Sequence, residues 1–540
     1  MANLFDYAGL KNKPKRNGFD LSRKNIYSIS AGELLPVLTE EMIPGDSFTI
    51  DLQSFTRSQP MNTAAYARMR QYYDFFFVPY HLMWSRFGNF ITSVPNNQIS
   101  KFSTIGTNNS ETTFAPLFDF DTYLNALAKY SDTWGVSNQP LDATKQQVID
   151  YYDPAGRPYD ETSFKLMSYL GYPVGMQADP RSPYKKEYHT GSLSPFRFLA
   201  YQKIYADYYR FDQWEQTDSA LFNVDFYDGT NAAPLTFDDF TVHKNADANQ
   251  IGMYIMPNSP FTLRYANFKR DLLRGVLPTQ QYGTQSTVSI NQKLTTSSTN
   301  DIFSRETLID QVTGNFTTPT HQQQVDVNSG TFNSSYFNIL EIEHPLLTNV
   351  KLEGGYFNVL ALRFAEAAQK FAEIKGANSY DYIKQIQAHF GVTPPKGLSH
   401  RVEYLGGCVC DLSIDPVTNT NLTGDNSPQI YGKGTFAVDG KIQFKCDDYG
   451  ILMCITHILP LSDYSSTRIP QKLRVNSPED WPLPEFDSLG LEAVTVSEIP
   501  GSVFLSQNKQ LNTFGYAPRY HNWKTALDEV HGDLETIERQ

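Results

Sequence analysis

The sequence predicts a mainly β protein: a single eight-stranded antiparallel jelly roll (a β-sandwich) with long loop insertions and a few short helices. Alternating or β-favouring runs recur near both ends of the chain, separated by Gly, Asn, Asp and Pro segments. Helical periodicity is confined to a few stretches. Two long regions, about 101–190 and 279–340, interrupt the strand pattern, and paired strands with oversized loops are what a jelly roll with insertions shows.

The first thirty residues predict an extended arm. Between 11 and 24, Lys11, Lys13, Lys15, Arg16, Arg23 and Lys24 face a single acid, Asp20, while Pro14, Asn17 and Gly18 oppose helix. The other end is acidic: Asp528, Glu529, Asp533, Glu535 and Glu538 against Arg539. After the arm, Ser47–Arg57 alternates, which predicts Phe48, Ile50, Leu52 and Phe55 inward. Tyr72–Val78 is rich in aromatics and stops at Pro79. Its three consecutive phenylalanines cannot share one face, so both faces must be covered, by a second sheet or by a neighbouring molecule. Val402–Leu412, Thr435–Phe444 and Ile451–Leu459 also predict strands.

Tyr356–Lys375 predicts a helix, with Phe357, Leu360, Ala361, Phe364, Ala368, Phe371 and Ile374 recurring at three and four and Gly376 ending it. That stripe is expected to be core. Tyr380–Phe390 and Pro195–Phe211 predict two more helices. The segment Thr279–Tyr336 stands apart, with 33 of its 58 residues Ser, Thr, Asn or Gln. It can bury little apolar area to offset chain entropy, and its threonines favour a β-rich surface insertion.

Composition narrows the function. The chain has 540 residues, a formal net charge of −13 and 14% aromatics, which excludes general disorder. Its most apolar stretches, Phe75–Trp84 and Ile451–Leu461, fall well short of the roughly 18–20 residues of a membrane span. The N-terminal residues lack an apolar h-region, so no secretory signal is expected. Four cysteines cannot form a disulfide framework, and Cys408 and Cys410 are expected on one strand face as core thiols rather than as zinc ligands.

Signatures of catalysis are lacking: there is no Walker loop, no G-x-G-x-x-G after a strand, no H-E-x-x-H and no G-x-S-x-G. Glu341-Ile-Glu343-His344 matches no standard metal spacing. Asp225, Asp228, Asp238 and Asp239 form acid pairs that chance supplies among 58 carboxylates. Asp51 and Asp74 are expected to pair with Arg57, Arg68 and Arg70. Neither an enzyme nor a cofactor or metal site is predicted. Low charge with many aromatics is the composition of protein–protein interfaces. A jelly-roll glycan hydrolase or glycan-binding module, with aromatics lining a sugar groove, is the alternative.

Colinear blocks sharpen this. NLFDYAGLKNKPKRNGFDLS, AGELLPVLTEEMIPGDSFTIDLQSFTR and MRQYYDFFFVPYHLMWSRFGNFI open the chain. SPFRFLAYQKIYADYYR, LRYANFKRDLLRGVLPTQQYG, LRFAEAAQKFAEIKGANSYDYIKQIQAHFGV, EYLGG and DYGILMCITHILPLSDYSSTRIP follow, and WPLPEFDSLG, FGYAPRYHNWK and EVHGDL close it. In order, they resemble the major capsid protein of microviruses (Microviridae), and its gokushovirus-like and gut-associated branches in particular. The resemblance implies a T=1 icosahedral bacteriophage shell of sixty copies around circular single-stranded DNA, with pentamers as intermediates. It implies a variable insertion at about 284–340 forming an external protrusion used for host attachment. Where that family carries an aromatic Pro-Trp-Pro-Gln segment, this chain has Val276-Leu277-Pro278-Thr279-Gln280. Partners implied are a small basic DNA-binding protein, a DNA pilot protein, a scaffolding protein and a host cell-surface receptor, with no membrane insertion. Localisation would be the virion, and the host bacterial cytoplasm during assembly.

Under that resemblance the jelly roll occupies 31–540, and arm 1–30 faces the particle interior. Lys11, Lys13, Lys15, Arg16, Arg23 and Lys24 are then the DNA-contact candidates, with Tyr7 and Phe19 placed to stack on bases.

Overall fold

The computed structural model describes residues 17–58, 68–92, 114–121, 123, 159–174, 191–215, 219–229, 233–236, 239, 260–283, 291–296, 308–309, 316–317, 350–356, 359–377, 382–393, 400–411, 413–418, 430–487, 490–532 and 535. The chain divides into two compact units, one of residues 1–274, 395–466 and 527–540, the other of 275–394 and 467–526.

In the first unit the described residues form a mostly antiparallel β arrangement. Its strands are β1 (Leu35–Met42), β2 (Ser47–Arg57), β3 (Met69–Pro79), β4 (Glu403–Asp411), β5 (Ser413–Thr418), β6 (Ile430–Lys445) and β7 (Gly450–Pro460). They form one sheet of order β1-β7-β3-β4 and a second of order β5-β6-β2, all pairs antiparallel. The strands expected from alternation stand where the pattern puts them, β2 from Ser47 to Arg57 included.

β3 shows how the three phenylalanines are accommodated. Phe77 packs with Met42, Leu452 and Cys446 against Phe48, Ile50 and Phe444 of the second sheet. Phe75 points the same way, toward Val438 and Cys454. Phe76 points to the opposite face, into a large aromatic core, with its ring 5.0 Å from that of Tyr208. Both faces of the first sheet are thus covered by this chain itself, which explains the almost unbroken burial of β7.

That second covering layer is built on two helices, α1 (Tyr159–Tyr169) and α2 (Phe196–Ile204). α2 is buried nearly all round, from Phe196 to Ile204, as a helix between core layers must be. Its Tyr201 hydroxyl donates to the Leu34 carbonyl at 2.9 Å, and Gln202 donates to the carbonyls of Pro260 and Thr262 at 2.8 Å each. The stretch 101–190 contributes to this core: Phe118, Phe120, Tyr123, Leu166, Met167 and Leu170 are all buried in it.

Three expectations are corrected. Phe55 is 60% exposed. β2 runs against β6 without a register shift, so strict alternation from Phe48 places Ser54 inward and Phe55 outward. Asp74 does not pair with an arginine: Arg70 reaches Asp411 and Arg68 reaches Asp463 and Asp528, while Asp74 accepts from two tyrosines. The third correction concerns the helix after the polar segment.

The second unit holds α3 (Val359–Ala377), α4 (Tyr382–Phe390), a strand pair Asn291–Thr296 with Val350–Tyr356, and an antiparallel pair of Leu491–Thr495 with Thr513–Pro518. The α3 stripe is not core. Leu360, Phe364 and Phe371 are 71%, 74% and 53% exposed, and among the helix's described side chains only Ala372 is buried. The helix packs through its small-residue face: a Cβ on Gly376 would stand 3.0 Å from the Tyr282 nitrogen.

Candidate nucleic-acid interface

From Asn17 to Ser30 the arm has neither helix nor strand and is exposed apart from Tyr27 and Ile29, which are half-buried. It is fastened along β1 and its neighbours at defined points. The Asn25 side chain donates to the Val37 carbonyl at 2.9 Å, Arg23 pairs with Glu40 at 2.5 Å, and the hydroxyls of Tyr27 and Tyr73 meet at 2.8 Å. Phe19, 81% exposed, and Ile26, 82% exposed, bury little against the protein. Of the six candidate cations, Arg23 is therefore engaged by Glu40 and Lys24 is exposed. Lys11, Lys13, Lys15 and Arg16, and Tyr7 with them, lie outside the described residues, as do Glu341, Glu343 and His344. The acidic end is tied down where it is described. Asp528 accepts from Arg68 at 2.9 Å and Glu535 from the Ser466 amide at 2.9 Å.

Two buried polar clusters were not foreseen, because each assembles residues far apart in sequence. In the first unit, Asp74 accepts hydrogen bonds from the hydroxyls of Tyr209 (2.8 Å) and Tyr404 (3.1 Å). Burial raises its carboxyl above the usual range, against the pull of those two bonds. His457 lies 3.9 Å away, stacked on Tyr72 at 4.7 Å, and burial pushes its imidazole down to about 4, so it is neutral at pH 7. Gly407 makes room for the cluster, since a Cβ there would stand 2.6 Å from Asp74 Oδ1. With its acceptors taken by phenols, Asp74 ties β3 to β4 and to the π-helical segment Tyr205–Tyr209 that continues α2.

In the second unit His521, only 2% exposed, lies between two glutamates: Nδ1 is 2.7 Å from Glu492 and Nε2 is 2.9 Å from Glu498. Asn522 and Arg474 also donate to Glu498. Burial alone would lower the His521 pKa, but the hydrogen bonds and charges of both glutamates outweigh it and raise it to about 9.

Asp225 and Asp239 have local structural roles, while Asp238 lies outside the described residues. Asp225 accepts from the Ser85 amide at 2.7 Å, and Asp239 from the Thr236 amide at 2.7 Å. Cys408 and Cys410 share one face and pack in the same cluster as Cys454. No group of three or more His, Cys, Asp or Glu side chains among the described residues is arranged to hold a metal. No helix among them is long and apolar enough to cross a membrane.

The described residues thus form an antiparallel β architecture with an exposed arm fastened along β1 and two polar clusters assembled by tertiary folding. Residues 10–127 and 184–538 match the family model described as Capsid protein (F protein), and the chain belongs to this family, the major capsid proteins of microviruses. It is a structural protein of a bacteriophage of the Microviridae, and its place is the virion. None of the curated proteins matches the chain.

Proposed function

We propose that this chain is the shell subunit of a small T=1 icosahedral particle, sixty copies of an eight-stranded jelly roll enclosing circular single-stranded DNA. The family match over residues 10–127 and 184–538 carries this reading. Weak contacts suffice for such a shell, because closure multiplies them. Recombinant protein examined by sedimentation and negative-stain microscopy should give pentamers or closed shells. A monomer at every concentration would contradict it.

The arm is proposed to face the genome, with a small basic DNA-binding protein sharing the neutralisation. Its cations would displace counterions from phosphates without regard to sequence. Because Arg23 already pairs with Glu40, Lys11, Lys13, Lys15 and Arg16, with Lys24, carry the larger share. Replacing Lys11, Lys13, Lys15 and Arg16 with glutamine should lower the DNA content per particle more than the particle yield. The check is the ratio of absorbance at 260 to 280 nm of purified particles, and an unchanged ratio would remove the arm from the DNA.

The segment between the paired strands Asn291–Thr296 and Val350–Tyr356 is proposed as the external protrusion that meets a host receptor. Thr296 and Val350 are register partners, so the chain leaves and returns at one place. Replacing 298–348 with a short turn should preserve shells and reduce adsorption to host cells. Loss of all assembly would contradict an external location. The region at about 101–190 is proposed as a second insertion; it holds the stretch 128–183 that the family model does not match, although Leu166, Met167 and Leu170 within it are core residues. Pilot and scaffolding proteins complete the proposed partners, with assembly in the host bacterial cytoplasm.

A further inference from the structure

α3 is amphipathic in the reverse sense. Leu360, Phe364, Ala367, Phe371 and Ile374 follow one another at spacings of four, three, four and three, the pattern of a helix–helix seam. In a helix that packs by its apolar face, this seam would be inside. Here Leu360, Phe364, Ala367 and Phe371 are exposed and Ile374 is half-buried. The helix is held to its own unit by the opposite stripe of Ala365, Gln369, Ala372 and Gly376. Gln369 donates to the Gln281 side chain, the Tyr282 amide donates to the Ala372 carbonyl at 3.1 Å, and Lys375 lies 3.8 Å over the Tyr282 ring.

The seam continues onto α4. His389 stacks on Phe371 at 5.2 Å, and Phe390, next in the chain, is 76% exposed. At 150–250 Å² per aromatic side chain, Phe364, Phe371 and Phe390 alone offer on the order of 400 Å² of exposed apolar surface. That equals the largest apolar patch of a typical monomer, about 300–600 Å², which is often a functional surface. With Leu360, and with a second copy contributing equally, the buried total reaches about 1,000 Å², the lower limit for a biological interface.

We infer that the α3 seam docks against the same seam of a second copy of this chain, helix on helix across a two-fold contact of the shell. A four-three repeat is self-complementary: side chains of one helix fill the gaps of an identical one. Its flank, Arg363, Glu366 and Lys370, alternates in sign, so like copies do not meet a field of one charge. A contact of a surface with itself is isologous, which in a closed shell places it on a two-fold axis. The inference rests on the assembly reading above.

Full-length F364E and A367C proteins test it. F364E should cut the yield of sedimenting shells by at least about tenfold, the effect of some 1.4 kcal/mol per contact. Its thermal melt should match wild type, because the side chain is exposed. A367C shells treated with a mild oxidant should give a covalent dimer on non-reducing gels that wild-type shells lack. If wild type forms shells, undiminished assembly of F364E overturns the inference and leaves the assembly reading intact. A destabilised F364E, or no A367C dimer within formed shells, overturns it in the same way. If wild type forms no shells under any condition, both fall.

Discussion

H521A is expected to destabilise the second unit by about 3–5 kcal/mol at pH 6, the cost of breaking a buried ion pair by removing one partner. Glu492 and Glu498 would then face each other across a cavity, with Gln471, Arg474 and Asn522 the donors left among the described residues. The wild-type protein should also show a pH signature that the variant lacks. The folded pKa of His521, about 9, lies above its unfolded value near 6.5. Its contribution is therefore complete below pH 6.5 and is lost as pH rises through 9. Glu492 works in the opposite direction. Burial raises its carboxyl, but the hydrogen bonds from His521 and Gln471 and the imidazolium charge outweigh that and hold it below the usual range. Its contribution is present above about pH 4.5 and fades as pH falls through the lowered value. Between these limits the cluster is at full strength. Denaturant titration followed by the fluorescence of Trp481 and Trp523, both in this unit, should show the wild-type midpoint falling from pH 6.5 to 9.5. A midpoint independent of pH over that range would refute the charged His521.

Alternation placed β2, and β-favouring residues between turn segments placed β3, β4, β6 and β7, because both signals are local in sequence. The same logic misplaced Phe55 only where it departed from strict alternation. The four-three repeat of α3 found the helix but not its orientation. Periodicity says which side chains share a face, and it cannot say whether that face meets this chain or another. The polar clusters were illegible for a different reason. Asp74 meets Tyr209 and Tyr404, and His521 meets Glu492 and Glu498, through tertiary folding, so no local pattern marks them. The basic arm was legible as charge, yet the pairing of Arg23 with Glu40 depends on how the arm lies along β1. The fold-level family signal lay in the colinear blocks, and the family match over residues 10–127 and 184–538 bears it out.

The aromatic residues fall into two populations that single substitutions should separate. Phe76 is 1% exposed, with rings of Tyr208, Tyr209 and Tyr404 at 5.0, 6.0 and 5.4 Å. Tyr209 and Tyr404 are also the donors to Asp74. F76A is therefore expected to cost about 3–5 kcal/mol from lost burial and the cavity left behind. It should further loosen the phenols that satisfy a buried carboxylate, so the loss belongs at the upper end of that range. Phe55 lies on β2 of the second sheet and faces outward, its ring met by the Arg57 guanidinium at 4.8 Å. F55A, a surface substitution, should change stability by no more than about 0.5 kcal/mol. Unfolding monitored by circular dichroism measures both. Were F76A as stable as wild type, the first sheet would not be covered on that face by its own chain. A neighbouring copy would then have to supply the covering, and the aromatic richness would be intersubunit surface instead of core.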